Sequence, residues 1–257
     1  MAIIEYTKEG RIAIFTINRP EAMGALNMEG MKQLHNALLD FRDNDELWVG
    51  IITGTGDKVF SAGVDIKDYL PFVKRTSDKP WQRPSGIMRA LSIWKPLIAA
   101  CNGLTYGGGL EIALACDMVI ASENATFSLP EVTVGVCPGG GGTQRLPRTI
   151  PMRLAAEMLF TGKAIDAQEA YRIGLVNKVV PIDQLMTEAR KLAETICKAA
   201  PLAIRVTKEA MMRGLDMNLE DGLRLEDEFI RYIMSTRDFE EGITAFREKR
   251  KPKYEGR

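Results

Sequence analysis

The N-terminal part of this chain repeats one pattern, in which paired strand-like segments end at glycine and a helical segment follows. The pattern recurs at a loose spacing of roughly 40–50 residues. Its segments are WVGIITGTG with KVFSAG, KPLIAACNG before TYGGGLEIALACD, and MVIAS with ATFSL before CPGGGG. A strand pair followed by a helix, repeated along a chain, predicts an α/β fold built as a solenoid-like spiral of ββα units.

The segments outside these repeats predict a hairpin at the N-terminus and helices at the C-terminus. AIIEYT and RIAIFTI flank KEG as two strands, and positions 28–43 have helical periodicity. YLPFVKRTSDKPWQRPSG, with three prolines and mixed charge, is interpreted as a mobile loop that could include a turn of helix, and a helix is expected at 86–93. From about Asp183 the pattern is helical, with apolar faces that pack on the core or on a second subunit. We expect one domain, with a spiral core at 1–182 and a helical region at 183–257.

The charge balance argues against nucleic acid or an acidic membrane surface as the main partner. The 257 residues carry 34 Lys and Arg against 34 Asp and Glu, a net charge of zero. The basic run from Arg247 to Lys253 is interpreted as a solvated tail. No apolar stretch approaches the ~20 residues of a membrane span. The N-terminus, with its acids and early strand pattern, does not resemble a signal or transit peptide. A cytoplasmic or matrix-like location is therefore expected.

The cysteines and the single histidine argue against a metal site and against a serine or thiol nucleophile. Cys101, Cys116, Cys137 and Cys197 lack C-x-x-C spacing, so we interpret them as reduced thiols in or near the core. His35 falls in a helical pattern and is interpreted as a surface residue, since no Ser or Cys motif accompanies it. Catalysis would then depend on carboxylates, Lys, Tyr or backbone groups.

Two glycine-containing turns place backbone N–H groups where a ligand could reach them. Gly107, Gly108 and Gly109 follow a buried strand and open a helix, whose first N–H groups lack intrahelical partners. In VFSAGVDIKDY the N–H of Val64 follows a short strand in the same way. Two such donors suit the oxyanion that forms when a thioester becomes an enolate. The glycines could instead serve tight packing of strand against helix.

Two carboxylates lie in otherwise apolar sequence close to these turns. Glu111 follows the three glycines, and Glu131 lies in FSLPEVTVGVCPGG. Burial raises the pKa of a carboxyl group, and a neighbouring carboxylate raises it further, which suits acid–base catalysis near neutral pH. Each glutamate taken alone could also be a helix-start residue or half of an ion pair.

Four segments together resemble the enoyl-CoA hydratase/isomerase (crotonase) family. They are NRPEAMGALN, FSAGVDIKDY, the block from KPLIAACNG to GGTQRLPR, and FTGKAIDAQEAYRIGLVNKVV, and the resemblance covers essentially the whole chain. It implies a crotonase-like spiral of ββα units with a helical C-terminal trimerisation region, assembled as a homotrimer or a dimer of trimers. It also implies an acyl-CoA substrate and no separate cofactor, since coenzyme A is part of that substrate.

The resemblance also assigns roles to individual residues. It implies that the N–H groups of Val64 and Gly108 form an oxyanion hole. Glu131 would donate the proton and Glu111 would position and activate water. Because hydratases keep both glutamates whereas isomerases often keep one, the chain resembles a hydratase. The positions implied to bind the substrate or its CoA portion, the last two from a neighbouring subunit, are Ala62, Asp65, Ile66, Lys67, Pro138, Gly139, Phe246 and Lys249.

Several points stay open at this stage. Gly24 stands in NRPEAMGALN where the family usually has asparagine, so the local CoA contact is uncertain. Trp81 and Met88 either shape the acyl pocket or only pack. Three other functions remain: an isomerase that uses Glu131 alone, an enzyme for a specialised acyl group, and an acyl-CoA-binding paralogue without turnover.

Overall fold

The computed structural model of the protein describes residues 2–75, 88 and 91–257. These residues form an α/β structure of two sheets with surrounding helices. The strands are β1 (Ile4–Glu9), β2 (Ile12–Ile17), β3 (Val49–Gly54), β4 (Val59–Ser61), β5 (Leu97–Cys101), β6 (Leu104–Tyr106), β7 (Met118–Ser122), β8 (Thr126–Ser128), β9 (Ile165–Asp166) and β10 (Lys178–Val180). The helices are α1 (Met28–Asp43), α2 (Ile66–Arg75), α3 (Gly108–Ala115), α4 (Gly142–Thr149), α5 (Met152–Thr161), α6 (Ala167–Arg172), α7 (Leu185–Ile196), α8 (Pro201–Gly214), α9 (Leu219–Met234) and α10 (Arg237–Arg247). Short 3₁₀ helices cover Pro20–Ala22, Pro130–Val134 and Ile182–Gln184.

The two sheets are built from one repeating unit, as the sequence predicts. β3, β5 and β7 are the first strands of successive units and pair in parallel, with Ile51 opposite Ile98 and Ala99 opposite Val119. β4, β6 and β8 are the second strands and pair in parallel in the other sheet. Helices α2, α3 and α4 follow the three strand pairs. Each turn of the chain adds one strand to each sheet, which confirms the ββα spiral.

The predicted spacing of the units is correct for only one of them. The first unit, from Val49 to the start of β5 at Leu97, is more than twice as long as the second, which ends where β7 begins at Met118. The lengths differ because α2 and the chain after it lie between β4 and β5, whereas α3 leads almost directly into β7.

The remaining strands extend both sheets at their edges. β1 and β2 form the predicted antiparallel hairpin, with Tyr6 opposite Phe15, and β2 pairs in parallel with β3. The six-stranded sheet has the order β1-β2-β3-β5-β7-β10, and the four-stranded sheet has the order β4-β6-β8-β9.

The six-stranded sheet buries both of its faces. Along β2, Ala13 and Phe15 point into one apolar cluster and Ile12 and Ile14 into another, the period of two that a strand dictates. Helix α1 covers the first face through Phe41, and α7 covers the second. Because both faces are covered, the central strands are near-continuous apolar runs, which made them recognisable in the sequence.

The C-terminal region is helical from α7 onward, as predicted. Helix α7 packs on β3, β5 and β7, whereas α9 buries no residue within the single chain. Apolar side chains on the outer faces of α9 and α10 are exposed, among them Leu219, Leu223, Ile230 and Phe246. Such faces are typical of surfaces that another subunit covers. The trimer and the division at residues 182 and 183 stay predictions. No helix within the described residues has the length and apolarity that a membrane span requires.

The basic segment after α10 is exposed, as a solvated tail would be, but it is anchored to its own chain. Arg250 donates hydrogen bonds to both carboxylate oxygens of Glu241, at 2.7 and 2.8 Å. The buried Asp238 carboxylate accepts two further backbone N–H groups of the tail, from Glu255 and Gly256, at 2.7 and 2.8 Å. The tail therefore folds back onto α10.

Two predictions for the segment after β4 need correction. The segment from Tyr69, predicted as a loop with a possible turn of helix, begins as part of helix α2, which contains Pro71 and continues to Arg75, so more of it is helical than expected. This helix starts because the Asp65 carbonyl accepts hydrogen bonds from the N–H groups of Asp68 and Tyr69. The rest of the predicted loop, with Trp81, and most of the helix predicted at 86–93 lie outside the described residues. The end of that helix, positions 91–93, has no regular secondary structure.

The thiols and the histidine are placed mostly as predicted. Cys101 is buried and Cys116 and Cys197 are partly buried, but Cys137 is exposed. The prediction for Cys137 was wrong because the chain from 132 to 137 runs along the surface. His35 lies on α1 as expected, yet it is partly buried, and its Nδ1 atom has no hydrogen-bond partner within the described part of the chain.

Candidate active site

The turn after β4 leaves the N–H of Val64 without a partner within the described part of the chain. An isolated parallel bridge joins Val64 to Leu26, in which Leu26 N donates to Gly63 O and Asp65 N donates to Leu26 O. The bridge uses the polar groups on either side of Val64, and no acceptor for the Val64 N–H is found among the described residues. Gly63 makes this turn possible, because its φ of 99° is one that L side chains rarely adopt.

The turn between β6 and α3 brings a second N–H group to the same place. Gly107, with φ 53° and ψ −127°, precedes the helix, and its own N–H donates to Ser128 O at 2.9 Å. Gly108 is the first helical residue, so its N–H has no acceptor within the helix. A Cβ atom built on Gly63 would lie 2.6 Å from Gly108 N, so the two turns are in direct contact. The two backbone donors suggested by the sequence therefore lie together.

Glu111 is buried in the first turn of α3, with 5% of its surface exposed. Its Oε1 atom accepts hydrogen bonds from Gly140 N at 2.6 Å and from Gly142 N at 2.9 Å. Both donors belong to the glycine-rich turn that opens α4. Gly140 has no room for a side chain, because a Cβ atom there would clash with Glu111 Oε2. The Glu111 carboxylate is thus fixed by backbone on one side.

Glu131 approaches the same region from the 3₁₀ helix Pro130–Val134. A Cβ atom built on Gly107 would lie 3.4 Å from Glu131 Oε1, which places this carboxyl group beside the start of α3. Its Oε2 atom is buried and has no hydrogen-bond partner within the described residues. Burial, with the nearby Glu111 carboxylate as a smaller contribution, raises the pKa of Glu131 to about 7. This carboxyl group is therefore suited to exchange a proton near neutral pH.

The source of that burial differs from the sequence-based interpretation. The apolar residues that follow Glu131 do not enclose it, because Val132, Val134 and Val136 are exposed. The carboxyl group is instead buried against the backbone at the start of α3. Neighbours in the sequence were therefore a poor guide to the surroundings of this carboxylate.

One cleft of about 1270 Å³ contains these groups. Six of the predicted site residues line it: Val64, Gly108, Glu111, Glu131, Pro138 and Gly139. The volume exceeds the ~300–1,000 Å³ of most small-molecule pockets, so an elongated ligand can be accommodated. Within residues 2–75, 88 and 91–257, no group of three or more His, Cys, Asp or Glu side chains is arranged to hold a metal ion.

Sequence reasoning missed Arg145, which reaches the same cleft from α4. Its Nη1 atom donates to Met88 O at 2.9 Å and to Gly140 O at 3.2 Å. Burial lowers the pKa of the Arg145 guanidinium, and the attraction of the Glu111 carboxylate opposes that change. A signal was present in GGGGTQRLPR, where a basic residue follows the glycine run within about one helical turn.

Other parts of the chain that the sequence did not connect with the site also reach the cleft. Tyr69 contributes from α2, and Met212 and Leu215 contribute from α8 and its end. Met88, one of the two residues considered for the acyl pocket, lines the cleft as well. The helical C-terminal region therefore forms part of the wall around the site.

The residues implied to bind CoA are divided between two places. Asp65 accepts a hydrogen bond from Arg19 Nη1 at 2.9 Å, which lowers the pKa of Asp65, so this carboxylate is engaged within its own turn. Ile66 and Lys67 are exposed at the start of α2, directly after the turn that contains Ala62. Phe246 and Lys249 lie exposed at and beyond the end of α10, outside the lining of this cleft. Their implied contact with a neighbouring subunit's ligand stays a prediction.

The structure gives a physical reason for Gly24, the position at which asparagine is usual. Gly24 has a φ of 66°, and a Cβ atom there would lie 3.0 Å from Phe60 O and from Ser61 Cα. The Ser61 hydroxyl donates to Gly24 O at 2.8 Å and accepts from Gly63 N at 3.1 Å. Gly24 therefore packs against β4 and supports the turn that exposes Val64 N–H.

Comparison with known proteins identifies the family to which this arrangement belongs. A sequence model described as enoyl-CoA hydratase/isomerase matches residues 7–257. The chain belongs to this family. The short-chain-enoyl-CoA hydratase of Clostridium acetobutylicum is 42% identical over 95% of this chain and 94% of its own length. The (E)-benzylidenesuccinyl-CoA hydratase of Thauera aromatica is 43% identical over 95% of this chain and 96% of its own length.

A solved structure from the enoyl-CoA hydratase/isomerase family confirms the fold. The crystal structure of enoyl-CoA hydratase from Bacillus anthracis matches with a TM-score of 0.92 at 36% identity, over 99% of this chain and 100% of that one. The predictions of an enzyme of the enoyl-CoA hydratase family and of a crotonase-like spiral are confirmed. The two relatives of similar identity are named for different acyl groups. Family membership therefore identifies the class of reaction better than it identifies the acyl group of the substrate.

Proposed function

We propose that the protein catalyses the reversible syn addition of water to the double bond of a 2-enoyl-CoA, giving a 3-hydroxyacyl-CoA. The observation that carries this proposal is that two differently held carboxyl groups, Glu111 and Glu131, meet in one cleft with two backbone N–H groups that have no acceptor among the described residues. Hydration needs a group that activates water, a group that supplies a proton and a stabiliser of the enolate. The cleft contains a candidate for each.

The backbone donors stabilise the enolate. The N–H groups of Val64 and Gly108 both donate hydrogen bonds to the thioester oxygen and hold it as negative charge develops there. Both donors lie at turns whose glycines fix the backbone beforehand, so little reorganisation accompanies the reaction. Loss of one such donor typically raises the barrier by about 3–4 kcal/mol.

The two carboxyl groups activate water and supply the proton. Glu111, fixed by two glycine N–H groups, accepts a proton from a water molecule whose oxygen bonds to the β-carbon. The carbon–carbon double bond becomes an enolate, and Glu131 delivers its proton to the α-carbon as the thioester carbonyl reforms. The product gains one hydroxyl group and one hydrogen, both on the same face. The proton held by Glu111 returns to Glu131 before the next turnover.

The rest of the substrate follows the cleft away from these groups. The acyl portion lies near Pro138 and Gly139, which line the cleft beside the glycine turn. The CoA portion passes the segment from Ala62 to Lys67, and in an assembled trimer it also contacts Phe246 and Lys249 of a neighbouring subunit. Asp65 contributes to this segment through its turn, because its carboxylate is engaged by Arg19.

Two other functions of the same cleft remain to be separated by experiment. An isomerase would need only one proton-transferring carboxyl group, for which Glu131 is suited by its raised pKa of about 7. An acyl-CoA-binding paralogue would need none. The buried position of Glu111, held by two N–H groups, favours hydration over both, because neither function uses a second fixed carboxylate.

The test uses the full chain with crotonyl-CoA and 3-butenoyl-CoA in parallel, and with a branched and an aromatic 2-enoyl-CoA to bracket acyl preference. Mass spectrometry should show the addition of one water to crotonyl-CoA. Conversion of 3-butenoyl-CoA to crotonyl-CoA without water addition would identify an isomerase. Binding of every acyl-CoA without turnover would identify the non-catalytic paralogue, and turnover of the aromatic compound alone would identify a specialised hydratase.

A further inference from the structure

The Arg145 side chain occupies a place that stabilisation of its own helix does not explain. Arg145 lies in the first turns of α4, and its N–H donates to Gly141 O at 2.8 Å. Its guanidinium folds back toward the N-terminus of the helix, so close to Gly141 that a Cβ atom there would clash with Nη1. A cation is disfavoured at a helix N-terminus, where the dipole is positive. Other contacts must therefore hold it there.

Those contacts join the guanidinium to the turn that fixes Glu111. Arg145 Nη1 donates to Gly140 O at 3.2 Å, while Gly140 N donates to Glu111 Oε1 at 2.6 Å. Gly140 is thus held through its carbonyl on one side and its N–H on the other. The same Nη1 atom also donates to Met88 O at 2.9 Å. The turn itself consists of glycines, which have no side chains to define its conformation.

Charge gives a second, independent link. The guanidinium is partly buried and lies close enough to Glu111 for the two opposite charges to interact. The other titratable groups around them are the Cys116 thiol, whose pKa burial raises well above its ordinary value, and Glu131. Arg148 and Asp216 complete the charged groups that line the cleft. The Glu111 carboxylate attracts the Arg145 guanidinium.

We propose that Arg145 is a positioning residue for Glu111. Its guanidinium holds the Gly140 peptide in the orientation that points N–H at the carboxylate, and its positive charge attracts that carboxylate. The role rests on the proposed hydratase function, because it matters only if Glu111 activates water.

The test compares Arg145→Gln, which removes both the charge and the planar guanidinium, with Arg145→Lys, which keeps the charge but replaces the guanidinium with an ammonium group. Arg153→Gln, at an exposed position on α5, is the matched control. We expect Arg145→Gln to lower kcat for crotonyl-CoA by roughly a hundredfold, the usual consequence of a small misplacement of a reacting group. KM should change less than about threefold.

Arg145→Lys separates the two parts of the role. It should recover part of the kcat lost in Arg145→Gln, since the charge remains, but it should not reach the wild-type kcat. Wild-type kcat in Arg145→Lys or in a folded Arg145→Gln would overturn the proposal. If Arg145→Gln does not fold, Arg145→Lys alone decides through its kcat.

A readout without turnover keeps this inference separate from the proposed function. Amide hydrogen exchange at Gly140 and Gly142 should accelerate at least tenfold in both Arg145 variants and not in Arg153→Gln. Unchanged exchange would overturn the positioning role even in an active enzyme. If the wild type hydrates no enoyl-CoA, the proposed function fails, whereas faster exchange would still support the contact between Arg145 and the glycine turn.

Discussion

Glu111 and Glu131 are the same residue type in one cleft, but their surroundings give them different properties. Two backbone N–H groups donate to Glu111 Oε1 and fix that carboxylate in the cleft. Glu131 Oε2 is buried without a partner among the described residues, and burial favours its neutral form. The pair thus offers a fixed carboxylate and a carboxyl group that can carry a proton, which is what a reaction that takes a proton from water and gives one to carbon requires.

The rate of hydration should depend on the protonation of Glu131. Because this group must carry the proton it delivers, and its pKa is raised to about 7, kcat/KM should fall as pH rises through about 7. The measurement is a pH–rate profile for crotonyl-CoA. The residual activity of Glu131→Gln should lack this alkaline limb, and a wild-type profile that is flat from about pH 6 to about pH 9 would be inconsistent with the role assigned to Glu131.

The same raised pKa should make Glu131 a cost to stability at high pH. In the unfolded chain the group ionises near its ordinary value of 4.5, and in the folded chain near about 7. As pH rises through that window the unfolded state loses its proton first, so the free energy of unfolding falls. Glu131→Gln should therefore be more stable than wild type by about 1 kcal/mol at pH 8 and by little at pH 4, after allowance for solvent screening.

Urea unfolding of both proteins at the two pH values measures this difference. The variant Glu131→Asp is the control, because its shorter side chain still carries a carboxyl group that can titrate. If Glu131→Gln raises the free energy of unfolding equally at both pH values, burial of the ionised carboxylate is not the cause of the increase.

At the scale of elements, the two N–H donors depend on the contact between the turn after β4 and the turn before α3. The parallel pairing of β4 with β6 brings these turns together. The turns touch at Gly63 and Gly108, which have no side chains. Gly63 combines a positive φ with a close neighbour, because a Cβ atom there would lie 2.6 Å from Gly108 N. The site therefore depends on a packing contact between backbones.

Gly63→Ala should separate the two donors and lower kcat/KM for hydration at least about a hundredfold, the effect of losing one oxyanion donor. Gly56→Ala is the matched control, since Gly56 also has a positive φ, 78°, but nothing lies within 4 Å of its Cβ position. Both variants carry the backbone strain, so their difference isolates the contact. Steady-state kinetics and thermal unfolding of both provide the measurement, and equal activities would contradict the assignment.

The elements with regular apolar patterns could be predicted from the sequence, and those formed by tertiary contacts could not. Helix α1 was predicted at its observed positions, 28–43, because its apolar period is uninterrupted. The part of helix α2 from Tyr69 onward was interpreted as a loop with a possible turn of helix, because three prolines and mixed charge follow there. Glu111 and Glu131 were singled out by type and position, but the burial of Glu131 Oε2, which has no hydrogen-bond partner among the described residues, depends on a tertiary contact with the start of α3. The contact of Arg145 with Gly140 depends on a side chain that folds back along its own helix.

At the scale of the whole molecule, the helical C-terminal region leaves apolar surface uncovered in the single chain. Helix α9 buries no residue, and Phe246 at the end of α10 is 85% exposed. Contiguous apolar surface of this kind mostly marks an interface. The same region carries Phe246 and Lys249, the residues implied to reach a neighbouring subunit's CoA, so assembly and substrate binding are connected in this account.

We therefore expect the protein to sediment as a homotrimer or a dimer of trimers at micromolar concentration. The double variant Leu223→Asp with Ile230→Asp should shift the distribution toward monomer, because it places charges on the exposed apolar face of α9. Thr187→Asp, at an exposed position on α7, is the control. A wild-type monomer in analytical ultracentrifugation would contradict the expected assembly.

The central claim is that both carboxyl groups take part in the addition of water. Initial rates of crotonyl-CoA hydration by wild type, Glu111→Gln and Glu131→Gln test it most directly, with unfolding temperatures to show that each variant is folded. We predict that each substitution alone lowers kcat by at least about a hundredfold, the usual contribution of an acid–base group. Near-wild-type hydration by either folded variant would contradict the account.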